Sequence, residues 1–239
     1  MKRDYDTRPM TRATVFLTGG TGYMGRRLIP RLVTKGYAVH ALVRPRSNNT
    51  LPAEAKPIVG DVLDAPSFVH RIPSDSIVVH LVGTPRPSPA KAAEFEAVDF
   101  VSARECISAA KAAGARHFVY VSVAQPAPVM RAYVDVRARG EALLRESGLP
   151  HTVLRPWYVL GPGHRWAYAL VPLYWYWNAR ASTRATAQRL GLVTLDQMLS
   201  ALTWAVETAG SDTRVLEVPA IRQFRSTSLR NGPGQRTTA

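Results

Sequence analysis

The sequence predicts a doubly wound α/β fold, a parallel sheet covered by helices on both faces. Two observations predict it. Short, almost continuously apolar runs alternate with longer amphipathic runs between about residues 14 and 155, and strands of that kind belong to a sheet buried on both sides. The first apolar run also passes directly into a glycine-rich turn and then a helical pattern. Right-handed crossovers between such units put a ligand crevice at the carboxyl ends of the strands.

The elements follow in order. Thr14 to Thr18 reads as a short buried strand. Tyr23 to Lys35 reads as a helix, with Met24, Leu28, Leu32 and Val33 near one face and Gly36 as its stop. Ala38 to Val43 is the second strand, Lys56 to Gly60 a weaker third and Ser76 to Val82 a fourth. Ala90 to Ala113 is largely helical, stopped by Gly114; His117 to Ser122 is the fifth strand. Tyr133 to Ser147 is a helix ended by Gly148, and His151 to Arg155 the sixth strand. Beyond Pro156 the alternation weakens. Leu195 to Thr208 is amphipathic, and Arg214 to Val218 has the character of a last strand. The expected organisation is one domain over 13–222, with about 157–222 as a small C-terminal substrate-side lobe, and flexible tails at 1–12 and 223–239.

Composition narrows the function classes. An apolar share of 46% supports a single sizeable core in 239 residues. No apolar run reaches the ~18 residues of a membrane span, and the basic start leads into a strand pattern rather than a signal-peptide core, so a cytoplasmic protein is expected. One cysteine, Cys106, excludes an internal disulfide and a cysteine-rich zinc site; on an amphipathic helix it reads as a buried, inert thiol. The six histidines lack H-x-x-x-H spacing, so no metal site is expected. The net charge of +14 attracts anions, but much of it lies at the chain ends and no arginine-rich helix stands out. Nucleic acid is therefore a disfavoured partner.

The motif with the most chemistry is Thr18-Gly19-Gly20-Thr21-Gly22-Tyr23-Met24-Gly25, with Gly19, Gly22 and Gly25 in G-x-x-G-x-x-G spacing. Bare backbone there allows a tight turn, close approach to a pyrophosphate and close helix–strand packing. The helix dipole and free amides then face the phosphates. Gly19, Thr21, Gly22, Tyr23, Met24 and Gly25 are the candidate phosphate-binding residues of a Rossmann-type fold. Arg44, nineteen residues after Gly25, closes the second strand. An acidic residue there would accept from a ribose 2′-hydroxyl; an arginine suits a 2′-phosphate, so NADP(H) is preferred, with NAD(H) possible. Arg46 lies close by. Asp61, beside Val62, can accept from an adenine amino group or cap the next helix. Leu81, Val82 and Gly83 end the fourth strand, where small residues let a cofactor lie against backbone.

Together these residues resemble the short-chain dehydrogenase/reductase superfamily, in its atypical and extended branch of NmrA-like, epimerase/dehydratase-like and complex I accessory-subunit-like proteins. The likeness covers about residues 13 to 163. It rests on the Gly19–Gly25 turn, Gly60-Asp61-Val62, His117 to Ser122, and the run from Ser147 to Pro156. The resemblance implies that Pro156, Trp157 and Val159 border the nicotinamide. It also implies chemistry by Ser, Tyr and a Lys four residues beyond the Tyr. Here Ser122 ends strand five and Tyr133 follows, but position 137 is Arg, and Asp99 stands where the branch often has Asn. Tyr133 and Arg137 are one helical turn apart and share a face. Arg137 can bind ribose hydroxyls and favour a phenolate, yet it stays charged and cannot relay a proton. The candidate catalytic set is Tyr133, Ser122 and Arg137; the alternative for Tyr133 is packing at the crevice mouth or binding cofactor without chemistry.

On the substrate side, Trp157, Trp166, Tyr168, Tyr174, Trp175, Tyr176 and Trp177 cluster after strand six. They suit core plus a pocket for a flat or hydrophobic small molecule better than a peripheral membrane contact aided by Arg180 and Arg184. His164 is a loop histidine with an acid/base role as one option. The leading expectation is an NADP-dependent reductase or epimerase-like enzyme. A non-catalytic redox-sensing regulator or accessory subunit is the second, and a basic membrane- or nucleic-acid-associated protein the third. A homo-oligomer is compatible with all three.

Overall fold

Successive strand residues face opposite sides of the sheet, and the core divides accordingly. In the computed structural model, which describes residues 12–45, 50–162 and 186–224, seven parallel strands form the sheet in the order β3-β2-β1-β4-β5-β6-β9. They are β1 (Thr14–Thr18), β2 (Ala38–Val43), β3 (Lys56–Val59), β4 (Ile77–His80), β5 (His117–Val121), β6 (His151–Arg155) and β9 (Arg214–Glu217). Val15, Leu17, Val79 and Val119 point to one face, covered by α1 (Gly25–Thr34) and α5 (Leu195–Glu207). Phe16, Val78, Phe118 and Tyr120 point to the other, covered by α3 (Val101–Ala112) and α4 (Arg131–Ser147). Cys106 sits in this second layer, fully buried, and burial pushes its thiol up to about 12, as an inert core cysteine requires. The strand order reverses direction between β1 and β4, so the crevice lies beyond the ends of those two strands.

Several elements differ from the sequence expectation for local reasons. The first helix starts at Gly25 rather than Tyr23, because Gly22 to Met24 are spent on the turn: Gly22 N–H donates to Gly19 O, and Arg26 N–H to Gly22 O. The 90–113 helix is composite. A 3₁₀ turn (Pro89–Lys91) and α2 (Ala92–Glu94) lead into a π-helical turn (Phe95–Phe100) before α3. The fourth strand is confined to Ile77–His80, with Ser76, Leu81 and Val82 outside it. Two described elements of the expected lobe at 157–222 belong to the main body. β9 joins the main sheet beside β6, and α5 packs against α1. Among the described residues, what leaves the sheet is the two-stranded ribbon of β7 (Tyr158–Leu160) and β8 (Leu192–Thr194), which runs straight into α5 through a Thr194–Gln197 capping box. The short α6 (Val218–Ile221) follows β9. No helix among the described residues is long and apolar enough to cross a membrane. Both predicted tails fall almost wholly outside the described residues, as do Arg46, His164 and the aromatic run from Trp166 to Trp177.

Candidate cofactor and active site

The turn between β1 and α1 is shaped by what its glycines lack. Gly19 adopts φ +79°, and a Cβ there would come within 3.0 Å of the Leu81 carbonyl carbon. A Cβ at Gly25 would lie 2.7 Å from Gly20 Cα and 2.8 Å from Gly20 O, and closer still to Gly19 O. Only a side-chain-free residue lets the helix start against the turn. At Met24, the N-cap of α1, no side chain caps the helix, and its first turn carries no acidic residue. The dipole's positive end therefore faces the crevice unneutralised, which is the donor set a diphosphate needs. Arg44 lies exposed just past the end of β2. Asp61 is also exposed, and its Oδ1 accepts from Leu63 N–H at 3.0 Å in a local turn, a cap of its own loop rather than of a following helix.

Beneath the crevice, β1 and β4 are joined by a buried polar pair. Thr18 Oγ1 and His80 Nδ1 are 2.8 Å apart, and Ser102 Oγ lies 3.4 Å from His80 Nε2. Complete burial, with the Arg137 charge nearby, pushes His80 down to about 3, so the ring is neutral.

The candidate catalytic residues gather at the end of β5. Ser122 is 3% exposed, and its Oγ makes no hydrogen bond among the described residues. Its N–H donates to Leu154 O, while Ala124 N–H donates to the carbonyl of buried Pro156, so the strand ends carrying Ser122 and Pro156 are stitched together. Tyr133, in the first turn of α4, is half-buried, packs against Phe95 with the rings tilted by 56° at 5.0 Å, and lies with its ring centroid 5.3 Å from the Arg137 guanidinium carbon. Trp157 and Val159 are half-buried against the α1/α5 layer.

Arg137 is the residue whose place differs most from expectation. It is 4% exposed, and its two Nη atoms reach three acceptors: Nη1 donates to Val121 O (3.0 Å), and Nη2 to Asp99 Oδ1 (2.6 Å) and Val82 O (3.3 Å), while Nε has no partner among the described residues. Asp99, fully buried in the π-helical turn, uses its second oxygen to accept from Thr84 N–H (2.9 Å) and Thr84 Oγ1 (2.6 Å). Burial alone would lower the Arg137 pKa; Tyr133, Tyr120 and Asp99 outweigh it, and the group is held more firmly charged than a free arginine. Arg137 thus supports the floor of the crevice.

Sequence reasoning missed this pairing, although Asp99 and Arg137 were the two departures from the pattern of the resembled branch and so were readable as one joint change. It also missed Glu141, 2% exposed one turn further along α4. Glu141 accepts from Gln125 Nε2 (2.8 Å) and Arg155 Nε (3.0 Å), and Arg155 Nη1 donates to Glu217 (2.7 Å), tying the loop after β5 to the ends of β6 and β9. A cavity of about 470 Å³ between α1, the β7/β8 ribbon and the start of α5, lined by Arg26, Arg27, Arg31 and Asp196 among others, contains none of these residues.

An uncapped helix start behind a glycine turn, at the switch point of a seven-stranded parallel sheet, defines a dinucleotide-binding protein of the Rossmann type. The chain belongs to the NAD(P)H-binding family, whose model matches residues 19–170. Among curated relatives it is 30% identical over 155 residues to the ceramide reductase of Caulobacter vibrioides (strain NA1000 / CB15N), covering 64% of this chain and 48% of that protein. It is 28% identical over 144 residues to the photosystem II assembly factor Ycf39 of Trieres chinensis, 59% of this chain and 44% of that one. The chain spans about half the length of the curated relatives it matches. Among solved structures, a putative epimerase from Burkholderia cenocepacia J2315 superposes with a TM-score of 0.65 at 22% identity, over 87% of this chain and 76% of that one. The Bordetella bronchiseptica enzyme WbmH, solved in complex with NAD+, gives 0.63 at 19% identity, over 88% and 78%. These likenesses confirm the doubly wound fold.

Proposed function

We propose that the protein is an NADP(H)-dependent reductase of the atypical short-chain type, acting on the carbonyl of a small hydrophobic substrate. Gly19, Thr21, Gly22, Tyr23, Met24 and Gly25 would hold the diphosphate, Arg44 the 2′-phosphate, and Pro156, Trp157 and Val159 the nicotinamide side. The reduced nicotinamide, when bound, supplies a hydride. Tyr133 holds the proton that the carbonyl oxygen takes up, and Ser122 donates a hydrogen bond to that oxygen. The observation that carries this reading is Ser122: a buried hydroxyl without a hydrogen-bond partner among the described residues, on the same strand end that Arg137 grips beside Tyr133. Because both Nη atoms of Arg137 are engaged, the Tyr133 proton is renewed from solvent rather than through residue 137. Reductases and a ketoreductase among the relatives support the reaction class.

A second reading has an observation in its favour. The engaged Arg137, together with relatives that are photosystem II assembly factors, supports a nucleotide-binding accessory protein that carries out no hydride transfer. One variant separates the two. With a panel of hydrophobic aldehydes and ketones, Tyr133→Phe is expected to lower NADPH oxidation by about 100-fold or more while the NADPH dissociation constant stays within about threefold. Turnover unchanged in Tyr133→Phe overturns the assignment of Tyr133; absence of turnover in the unaltered protein, with NADPH bound, favours the accessory reading.

A further inference from the structure

The residue at 83 has a neighbour that a bare cofactor-binding strand end does not explain. A Cβ built on Gly83 would overlap Arg137 Nη2 and lie 3.3 Å from Asp99 Oδ1 and 3.4 Å from the guanidinium carbon of Arg137. Gly83 itself is exposed, so the obstruction comes from beneath, from inside the protein. The same guanidinium takes the carbonyl of Val82, and the same carboxylate takes the N–H and hydroxyl of Thr84, so the residues flanking Gly83 are both bonded into the ion pair. Through Val121 O the guanidinium also reaches the residue before Ser122.

We propose that Gly83, Asp99 and Arg137 form one interdependent positioning device, in which the missing side chain at 83 makes room for the buried guanidinium rather than for the cofactor. Asp99 neutralises the guanidinium, Arg137 cross-links the ends of β4 and β5, and Gly83 is the gap through which the cross-link passes. Arg137 is accordingly a positioning residue, acting on the cofactor through Val82, Gly83 and Ser122. A buried charged group with acceptors on two strand ends is suited to fixing the spacing between them. Removing either charge leaves the other buried and uncompensated, whereas removing both does not.

The test combines Gly83→Ala with a neutral replacement of the pair. In the otherwise unaltered protein, Gly83→Ala is expected to weaken NADPH binding about tenfold. In the Asp99→Asn/Arg137→Gln background, where the shorter amide leaves the space open, the same substitution is expected to cost less than about threefold. Asp99→Asn and Arg137→Gln alone should each bind more weakly than the double variant. Equal losses from Gly83→Ala in both backgrounds, or additive losses from the two single variants, overturn the proposal and return the glycine to the cofactor. The proposal rests on the NADP(H) reading only for this binding readout; the melting temperature of the nucleotide-free protein tests it separately. Because the overlap is internal, Gly83→Ala alone should lower that temperature by about 4 °C or more. An unchanged melting temperature, whether or not NADPH binds, contradicts the device.

Discussion

Gly25→Ala probes the phosphate turn most sharply. The added methyl meets backbone on three sides: Gly20 Cα at 2.7 Å, Gly20 O at 2.8 Å, and Gly19 O nearer still. Ordinary carbon–carbon separations are about 3.5–4.0 Å, so the turn and the helix start must move apart by about 1 Å. No flexible side chain can absorb that movement. Overpacking of this kind costs about 1–3 kcal/mol of stability. The larger effect falls on binding. Donors displaced by that distance lose their alignment, and each charge-assisted bond lost costs about 1.5–3 kcal/mol, so one or two together weaken NADPH binding by about 10- to 10,000-fold. Isothermal titration of NADPH into Gly25→Ala and two comparison variants reads this directly. In Gly22→Ala the new methyl meets only Gly19 O, at 3.1 Å, and the loss should be smaller. In Gly148→Ala the residue is at φ +73° with nothing within 4 Å, so about 1 kcal/mol of backbone strain appears in the melting temperature and none in the dissociation constant. If Gly25→Ala binds NADPH as tightly as Gly148→Ala does, the steric reasoning is wrong.

Three other outcomes follow from the geometry. Arg44→Ala should weaken NADPH about tenfold and leave NADH unchanged, by competitive titration of the two nucleotides; equal losses would show that Arg44 serves the adenine rather than a 2′-phosphate. His80 is held neutral in the folded chain, near 3 against 6.5 when unfolded. The unfolded state therefore takes up the proton first as pH falls, and stability that is full above pH 6.5 is lost at about 1.4 kcal/mol per pH unit down towards 3. Burial lowers His117 and His40 too, so the total slope is steeper; urea denaturation between pH 7 and pH 4 should show His80→Asn with a shallower one, and an identical slope refutes the assignment to His80. Cys106, with its thiol pushed up to about 12, should resist an aromatic disulfide reagent in the native protein and react on unfolding; rapid native labelling would contradict its burial.

The parts of the molecule legible in the sequence were those governed by local rules. The six strands and four long helices were readable because buried parallel strands are continuously apolar and the covering helices are amphipathic. Gly36, Gly114 and Gly148, all at positive φ, end or follow helices as such glycines do. The phosphate turn was readable because it is contiguous from Thr18 to Gly25. What sequence reading could not supply is contact between distant positions. Arg137 reaches Asp99 across 38 residues and Val82 across 55, and only the fold shows that this arginine, standing where the resembled branch has a Lys, is buried. The placement of β9 escaped for the same reason: nothing in Arg214–Glu217 says that it pairs with β6 rather than standing in a separate lobe.

The central claim is that the uncapped start of α1, behind Gly19, Gly22 and Gly25, holds the diphosphate of a reduced nicotinamide dinucleotide. Calorimetric titration of the unaltered protein with NADPH, NADH and inorganic pyrophosphate tests it most directly. The account predicts one NADPH per chain at micromolar affinity, weaker NADH, and competition by pyrophosphate. Failure of both dinucleotides to bind at millimolar concentration would contradict it.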